Sequence, residues 1–192
     1  IDCGNDSSIQ IGGSGASFSL EAWAKRISLD QHDTILGQGE VGINRGLHFA
    51  YRANNTFTFA FYLNDLDSFD SYTDTGEWHH WAGTYNGVNN ERKLFRDGIL
   101  IAEDSAEGDY IGSGNMYIGS PPWLTENHFE GMIDEVAVYD DVLSPEEILR
   151  HYQSSSHYCQ AQPIATAPPS ATPTPEGYET PTPPPCPEDM IA

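Results

Sequence analysis

The side chains of this sequence that could do chemistry are few, and their spacing decides what they can do. Asp134 and Glu135 form an acid pair inside a strand-like run, residues 132–139. Glycoside cleavage needs two carboxylates about 5–5.5 Å apart on one face. Adjacent residues of a strand point to opposite faces, so this pair is expected not to share a substrate, and no Glu-x-Asp-x-x-Glu pattern occurs. No Gly-rich phosphate loop or nucleophile turn is present either, and the reading is a chain that is not an enzyme. His79 and His80 are adjacent, hence a poor metal pair, with one expected to be structural and the other exposed. Asp65, Asp67, Asp70 and Asp74 lie in residues 64–76 without the glycine and terminal glutamate of a calcium loop. They are expected to form a solvated, charged loop. Binding is the remaining chemistry. Aromatic faces stack on sugar rings while polar groups bond hydroxyls, which makes Phe69, Tyr72, Trp123 and His128 candidate ligand contacts, with subunit contact or loop anchoring as the alternative.

These residues are positioned by short runs of period-2 alternation separated by turn signals. Such runs occupy residues 17–24, 47–51, 56–62, 78–85, 92–95, 99–102, 116–119 and 132–139. Asn54-Asn55 separates the second from the third. Asp97-Gly98 supplies the positive φ of a tight hairpin between residues 92–95 and 99–102. Ser144-Pro145-Glu146-Glu147 combines an N-cap, a proline at the first helical position and acids in the first turn, predicting a helix to about Tyr152. The expected fold class is all-β: a two-sheet antiparallel jelly-roll sandwich with one short C-terminal helix, followed by an extended Pro/Thr-rich tail.

Several motifs, in order, resemble the laminin-G-like, concanavalin-A-like domains. They are Phe18-Ser19-Leu20-Glu21-Ala22-Trp23, Ile35-Leu36-Gly37-Gln38, Leu47-His48-Phe49, and the run 74–85 around Trp78-His79-His80-Trp81. Leu94-Phe95-Arg96-Asp97-Gly98, Tyr117-Ile118-Gly119, Phe129-Glu130-Gly131-Met132-Ile133-Asp134 and Leu143-Ser144-Pro145-Glu146 continue the series. The resemblance implies a sandwich over nearly all of residues 1–152. It leaves function open, because the fold serves binding modules, adhesion proteins and glycosidases alike. It also implies Asp134 as a candidate ligand of a structural Ca2+ ion, with a buried Asp satisfied by backbone N–H groups as the alternative. Related domains usually carry a further first strand before a stretch like Ile1-Asp2-Cys3-Gly4. The expectation is therefore an unfilled edge, from truncation or for a neighbouring copy to occupy.

Domain organisation follows composition: residues 1–159 form the sandwich, and residues 160–192 hold 10 of the 13 prolines and five threonines. Proline fixes φ and donates no hydrogen bond, so this tract is expected to be an extended spacer. Its threonines Thr166, Thr172, Thr174, Thr180 and Thr182 are candidate O-glycosylation sites. Asn5 and Asn54 begin N-glycosylation triplets. Three cysteines leave one unpaired. Cys3 is expected as a buried thiol, while Cys159 and Cys186 bracket the proline tract and are candidates for a disulfide within or between chains. The apolar end Met190-Ile191-Ala192, joined to Ile1 and Asp2, suggests head-to-tail copies.

The formal charge of −21, from 29 acidic and 8 basic side chains, removes any electrostatic basis for binding nucleic acid or an anionic membrane. No apolar window is long enough to span a bilayer, and the sequence shows no charged-then-apolar leader, so any export signal is expected to have been removed already or to lie outside the sequence. Two functions fit. One is a non-enzymatic extracellular or cell-surface structural or adhesive module, partnered by copies of itself or by a surface glycan or protein. The other is a glycan-binding module tethered by its Pro/Thr linker to a secreted polysaccharide-degrading enzyme.

Overall fold

The computed structural model describes residues 1–123, 128–155 and 157. Among the described residues, ten strands make two five-stranded antiparallel sheets. The back sheet has the order β10 (Gly131–Tyr139), β1 (Phe18–Arg26), β6 (His79–Asn86), β7 (Glu91–Arg96), β8 (Ile99–Ser105). The front sheet has the order β5 (Asp65–Ser71), β4 (Thr56–Ala60), β3 (Gly46–Tyr51), β2 (Asp33–Gly39), β9 (Met116–Ile118). Non-consecutive neighbours within each sheet give the jelly-roll-like sandwich expected from the alternation.

The core is the aromatic product of that alternation. Phe18, Leu20, Ala22 and Ala24 of β1 and Trp81 and Tyr85 of β6 meet Phe49, Phe57 and Phe59 of the front sheet, all nearly solvent-free. Phe57 stacks on Trp81 with ring centroids 3.8 Å apart, and Phe18 meets Phe59 edge-on at 5.9 Å. The edge-on pair is a geometry that aromatic quadrupoles favour. The β7–β8 hairpin turns on Asp97 and Gly98, with φ of 53° and 76°, as Asp-Gly predicts.

The helix α1 (Pro145–Ser154) runs two residues further than expected and starts with a complete capping box between Ser144 and Glu147. The reciprocal bonds satisfy two backbone N–H groups that the first turn would otherwise leave open. Ile148 buries itself on Ala82 and Phe95, so α1 covers the outer face of the back sheet. Tyr152 stacks on Trp23 at 5.6 Å.

Four sequence expectations are corrected here. The acidic stretch is not a loop: Asp65–Ser71 is the edge strand β5, with Leu66 and Ser68 buried and Asp65 and Asp67 outside. Asp134 and Glu135 do not diverge. A bulge opposite Ala22, with Glu135 at φ 49°, breaks the alternation, because an inserted residue re-aims its neighbours. Asp134 then reaches His157 Nε2 (3.0 Å) and Glu135 reaches Ser155 Oγ (2.9 Å). Neither His79 nor His80 is surface-exposed, since α1 roofs His80 (3% exposed) while Asp74 and Asp97 enclose His79. Cys3 is exposed and free.

The last correction has a topological cause. Residues 1–4 lie along β9, where Ile1 and Cys3 bond Ile118 and Met116. The segment therefore extends the sheet edge and does not enter the core. Among the described residues, β10 pairs only with β1, and its core-facing Ile133, Val136 and Val138 are partly buried. No described helix is long and apolar enough to cross a membrane. Cys159, Cys186, Thr166, Thr172, Thr174, Thr180, Thr182, Met190, Ile191 and Ala192 lie outside the described residues. Asn5 and Asn54 are exposed.

Candidate functional site

No described helix lies over the outer face of the front sheet, and alternation decides what it shows. In β3 and β4 the large aromatics turn inward, so His48, Ala50, Thr58 and Ala60 turn out, in the pairs His48↔Ala60 and Ala50↔Thr58. Small residues in the middle of this row make a dent. Larger ones around it make walls: Arg52, Tyr62, Trp123, His32, Val41 and Pro121. The resulting cavity holds about 270 Å³.

Each wall has a local cause. Trp123 reaches the sheet because two glycines let its loop lie flat. A Cβ on Gly46 would stand 2.9 Å from the Trp123 ring, and one on Gly37 would stand 3.0 Å from Pro122. The indole packs against the His48 imidazole with centroids 4.7 Å apart. Tyr62 arrives from the β4–β5 turn, where both central residues have positive φ, Tyr62 at 61° and Leu63 at 59°. That is the pattern of a type I′ hairpin turn, which Asn-Gly would satisfy without strain. Here it is forced on a tyrosine and a leucine, at roughly 1–2 kcal/mol per residue. The neighbouring Asn64 holds the turn in place. Its side chain donates to Asn44 Oδ1 (2.7 Å) and accepts from the Glu107 N–H (3.3 Å), and its carbonyl accepts from buried Arg92 (2.7 Å). The turn brings the Tyr62 ring to 5.9 Å from His48 and 6.3 Å from Trp123.

The electrostatics are equally specific. Burial holds the His48 imidazole neutral, with its pKa lowered to about 4, and it makes no hydrogen bond among the described residues. A neutral imidazole offers one donor and one acceptor. Arg52 is gripped by two carboxylates of β5: Nε donates to Asp67 (2.6 Å) and Nη2 to Asp65 (2.8 Å), with a further bond to Thr58 Oγ1 (3.0 Å). Two aromatic rings, a neutral imidazole, a threonine hydroxyl and a guanidinium edge form an amphipathic recess, suited to a ligand with one apolar face and several hydroxyls.

Of the residues singled out in the sequence, Trp123 stands in this wall. His128 bridges to Thr34 and lines a neighbouring hollow of about 200 Å³ with Gln31, His32 and Glu130. Phe69 is 97% exposed on β5 and lines none of the cavities described here. Tyr72 packs against Trp81 at 5.2 Å, beneath the Arg96 guanidinium. Asp134 has one oxygen on His157 and the other on the Glu135 N–H (2.8 Å), and among the described residues no three His, Cys, Asp or Glu side chains converge as a metal site. That donor set does not match the six to eight oxygens calcium takes.

The sequence reading missed His48 and Tyr62, which it saw only as strand residues, and Arg52, which it did not single out. It also missed a second cavity, of about 360 Å³, on the back face between β1, β10 and α1, lined by Glu21, Trp23, His80, Tyr139 and His151 among others. Burial raises the Glu21 pKa against the opposing pull of its 2.8 Å bond to His151 Nδ1. His80, lowered to about 4 by burial, places Nε2 3.6 Å from Glu21 Oε1. This cluster fastens the helix to the sheet.

The fold is that of the concanavalin A-like sandwiches. A family model described as the concanavalin A-like lectin/glucanases superfamily (Laminin_G_3) matches residues 4–149, and the chain belongs to that family. No curated protein matches significantly. Among solved structures, the sialidase CBM40 domain of Ruminococcus gnavus is 21% identical with a TM-score of 0.62, covering 79% of this chain and 92% of that one. The same domain bound to alpha2,3 sialyllactose gives 21% identity and 0.60, over 78% and 91%. Domain 4 of AbnA, a GH43 extracellular arabinanase from Geobacillus stearothermophilus, in complex with arabinotriose, gives 19% and 0.59, over 78% and 80%. At these identities the likeness is one of fold.

Proposed function

We propose that this chain is a non-enzymatic glycan-binding module, secreted or displayed at a cell surface, and joined through its Pro/Thr-rich tail to a partner it holds on a polysaccharide. The observation that carries the reading is the front-face recess, where His48, Tyr62 and Trp123 converge on a sheet face that no described helix covers. The strained turn supports it. Backbone strain persists where the surroundings over-determine it, and it clusters at ligand sites. The comparisons add support, since two of the solved relatives are described with an oligosaccharide bound. The carboxylates near the recess are engaged by Arg52, which favours holding a sugar over cleaving it.

The test is affinity electrophoresis of the whole chain through gels containing individual polysaccharides. Retardation by at least one of them is expected, and Trp123→Ala should abolish it while the far-UV spectrum and thermal melt stay unchanged. Truncating a central aromatic anchor costs roughly 2 kcal/mol or more, about 30-fold in affinity. Retention unchanged in Trp123→Ala would remove the recess as the site.

A second reading, copies chained head to tail, keeps one supporting observation: the outer edge of β10 is unpaired among the described residues, and such edges recruit strands. Residues 1–4 already pair with β9 of their own chain, which weighs against their exchange between copies. Sedimentation as a monomer over a wide concentration range would dismiss chaining.

A further inference from the structure

We propose that the front-face recess selects neutral sugars and rejects those carrying a carboxylate or sulfate. This rests on the reading of the recess as a glycan site and names its ligand class. The argument is a census of positive charge. The chain has only 8 Lys and Arg residues, and all lie among the described residues. Seven have a carboxylate within 4 Å: Arg26 with Asp33, Arg45 with Glu40, Arg52 with Asp65 and Asp67, Arg92 with Asp104, Lys93 with Glu91, Arg96 with Asp74, and Arg150 with Glu147. The eighth, Lys25, is on β1 of the back sheet, away from the recess.

Recognition of an acidic sugar relies on charge-assisted bonds from Arg or Lys. The one such residue lining the recess is Arg52, and two carboxylates already outweigh its charge. An incoming sugar carboxylate would meet Asp65 and Asp67 beside the guanidinium and be repelled by both. His48 cannot substitute, because burial keeps it uncharged at neutral pH. What Arg52 retains is Nη1, whose two N–H groups have no partner among the described residues. Together with the single N–H of neutral His48, these suit the lone pairs of hydroxyl groups, which carry no charge to be repelled. Asp65 and Asp67 thus fix Arg52 in place and screen out anions at once.

The experiment uses the whole chain on two sets of immobilised polysaccharides. One is neutral (glucan, galactan, mannan, xylan, arabinan); the other is acidic (polygalacturonate, alginate, chondroitin sulfate, sialylated glycan). Binding to a member of the neutral set, little changed by added salt, and none to the acidic set is the expected result. In the double variant Asp65→Asn/Asp67→Asn, which frees Arg52, binding to acidic members should appear at low salt and fade as salt rises, a gain of at least about tenfold. Wild-type binding to an acidic member, lost in Arg52→Gln, would overturn the selectivity and leave the glycan-binding reading standing. Binding to neither set would overturn both. Should the double variant fail to fold, the wild-type comparison alone decides.

Discussion

The β4–β5 turn offers a direct test of whether backbone strain serves the recess. Tyr62 and Leu63 both sit in the left-handed region, where a non-glycine residue costs roughly 1–2 kcal/mol. Leu63 is 71% exposed, so its side chain contributes little burial. Leu63→Gly relieves the strain and gives back about 0.4–1 kcal/mol through the greater freedom of the unfolded chain. The balance is a stabilisation of about 0.5–1 kcal/mol, or about 1–4 °C in Tm for a domain of this size. Tyr62→Gly relieves the same strain but removes the ring that faces His48 and Trp123. It should melt no lower than Leu63→Gly by more than the loss of one half-buried aromatic, and it should lose glycan retention, while Leu63→Gly keeps it. Thermal melts and affinity electrophoresis on the same two samples read both effects. A lower Tm in Leu63→Gly would refute the strain argument; full retention by Tyr62→Gly would refute its purpose.

Two titratable clusters make further predictions. The unfolded chain takes up a proton on His80 near its ordinary pKa of 6.5, whereas the folded chain resists until about 4 because the imidazole is buried. Stability from this group is therefore complete above 6.5 and lost as pH falls towards 4, by about 3 kcal/mol. Urea melts at pH 7 and pH 4.5 should show a smaller pH effect in His80→Gln than in the wild type, and equal slopes would sink the idea. At the end of the sandwich, burial opposes ionisation of Asp74, but bonds from His79 and Arg96 hold its carboxyl well below the usual range. Burial also opposes charge on His79, and there Asp74 and Asp97 win, raising its pKa. The His79 contribution is thus present below 6.5 and lost as pH rises through its raised pKa; that of Asp74 is present above 3.8 and lost as pH falls. Asp74→Asn should lower the His79 pKa in an NMR titration and cost about 1 kcal/mol, since the carboxylate is partly exposed. An unmoved His79 titration would refute the clasp.

The parts of the fold that were legible in the sequence are those with local causes. Asp97-Gly98 makes its hairpin, and Ser144, Pro145 and Glu147 start α1, because the required φ values and caps are properties of those residues themselves. β5 was illegible because Leu66 is its only buried apolar residue; it is held by its ladder to β4 and by ion pairs to Arg52. The turn before it lacks the Asn-Gly signal that would have announced it. The bulge at Glu135 turned a sound rule about alternating faces into a wrong one for that pair. For the recess, the exposed-aromatic argument reached Trp123 and stopped. His48 comes from β3, Arg52 from just past its end, Thr58 from β4 and Tyr62 from the following turn, and their meeting depends on sheet order and on Gly46 and Gly37 admitting the Trp123 loop.

The two outer faces of the sandwich are built on opposite terms, and the contrast bears on function. On the back face, Trp23 lies beneath Tyr152 and His157, while Ala82 and Phe95 lie beneath Ile148; there the helix packs on the sheet and leaves a cavity beside Glu21 and His151. On the front face the outward row Ala50, Thr58 and Ala60 would have suited a covering helix equally well, yet none of the described helical residues lies over it. A strained turn, a neutral imidazole and a guanidinium held between two carboxylates surround that row instead. Folding alone does not reward the strained turn or the unbonded imidazole, because each costs backbone energy or desolvation. A ligand that stacks on rings and exchanges hydroxyl hydrogen bonds would offset those costs on binding, and the charge beside Arg52 requires that ligand to be uncharged.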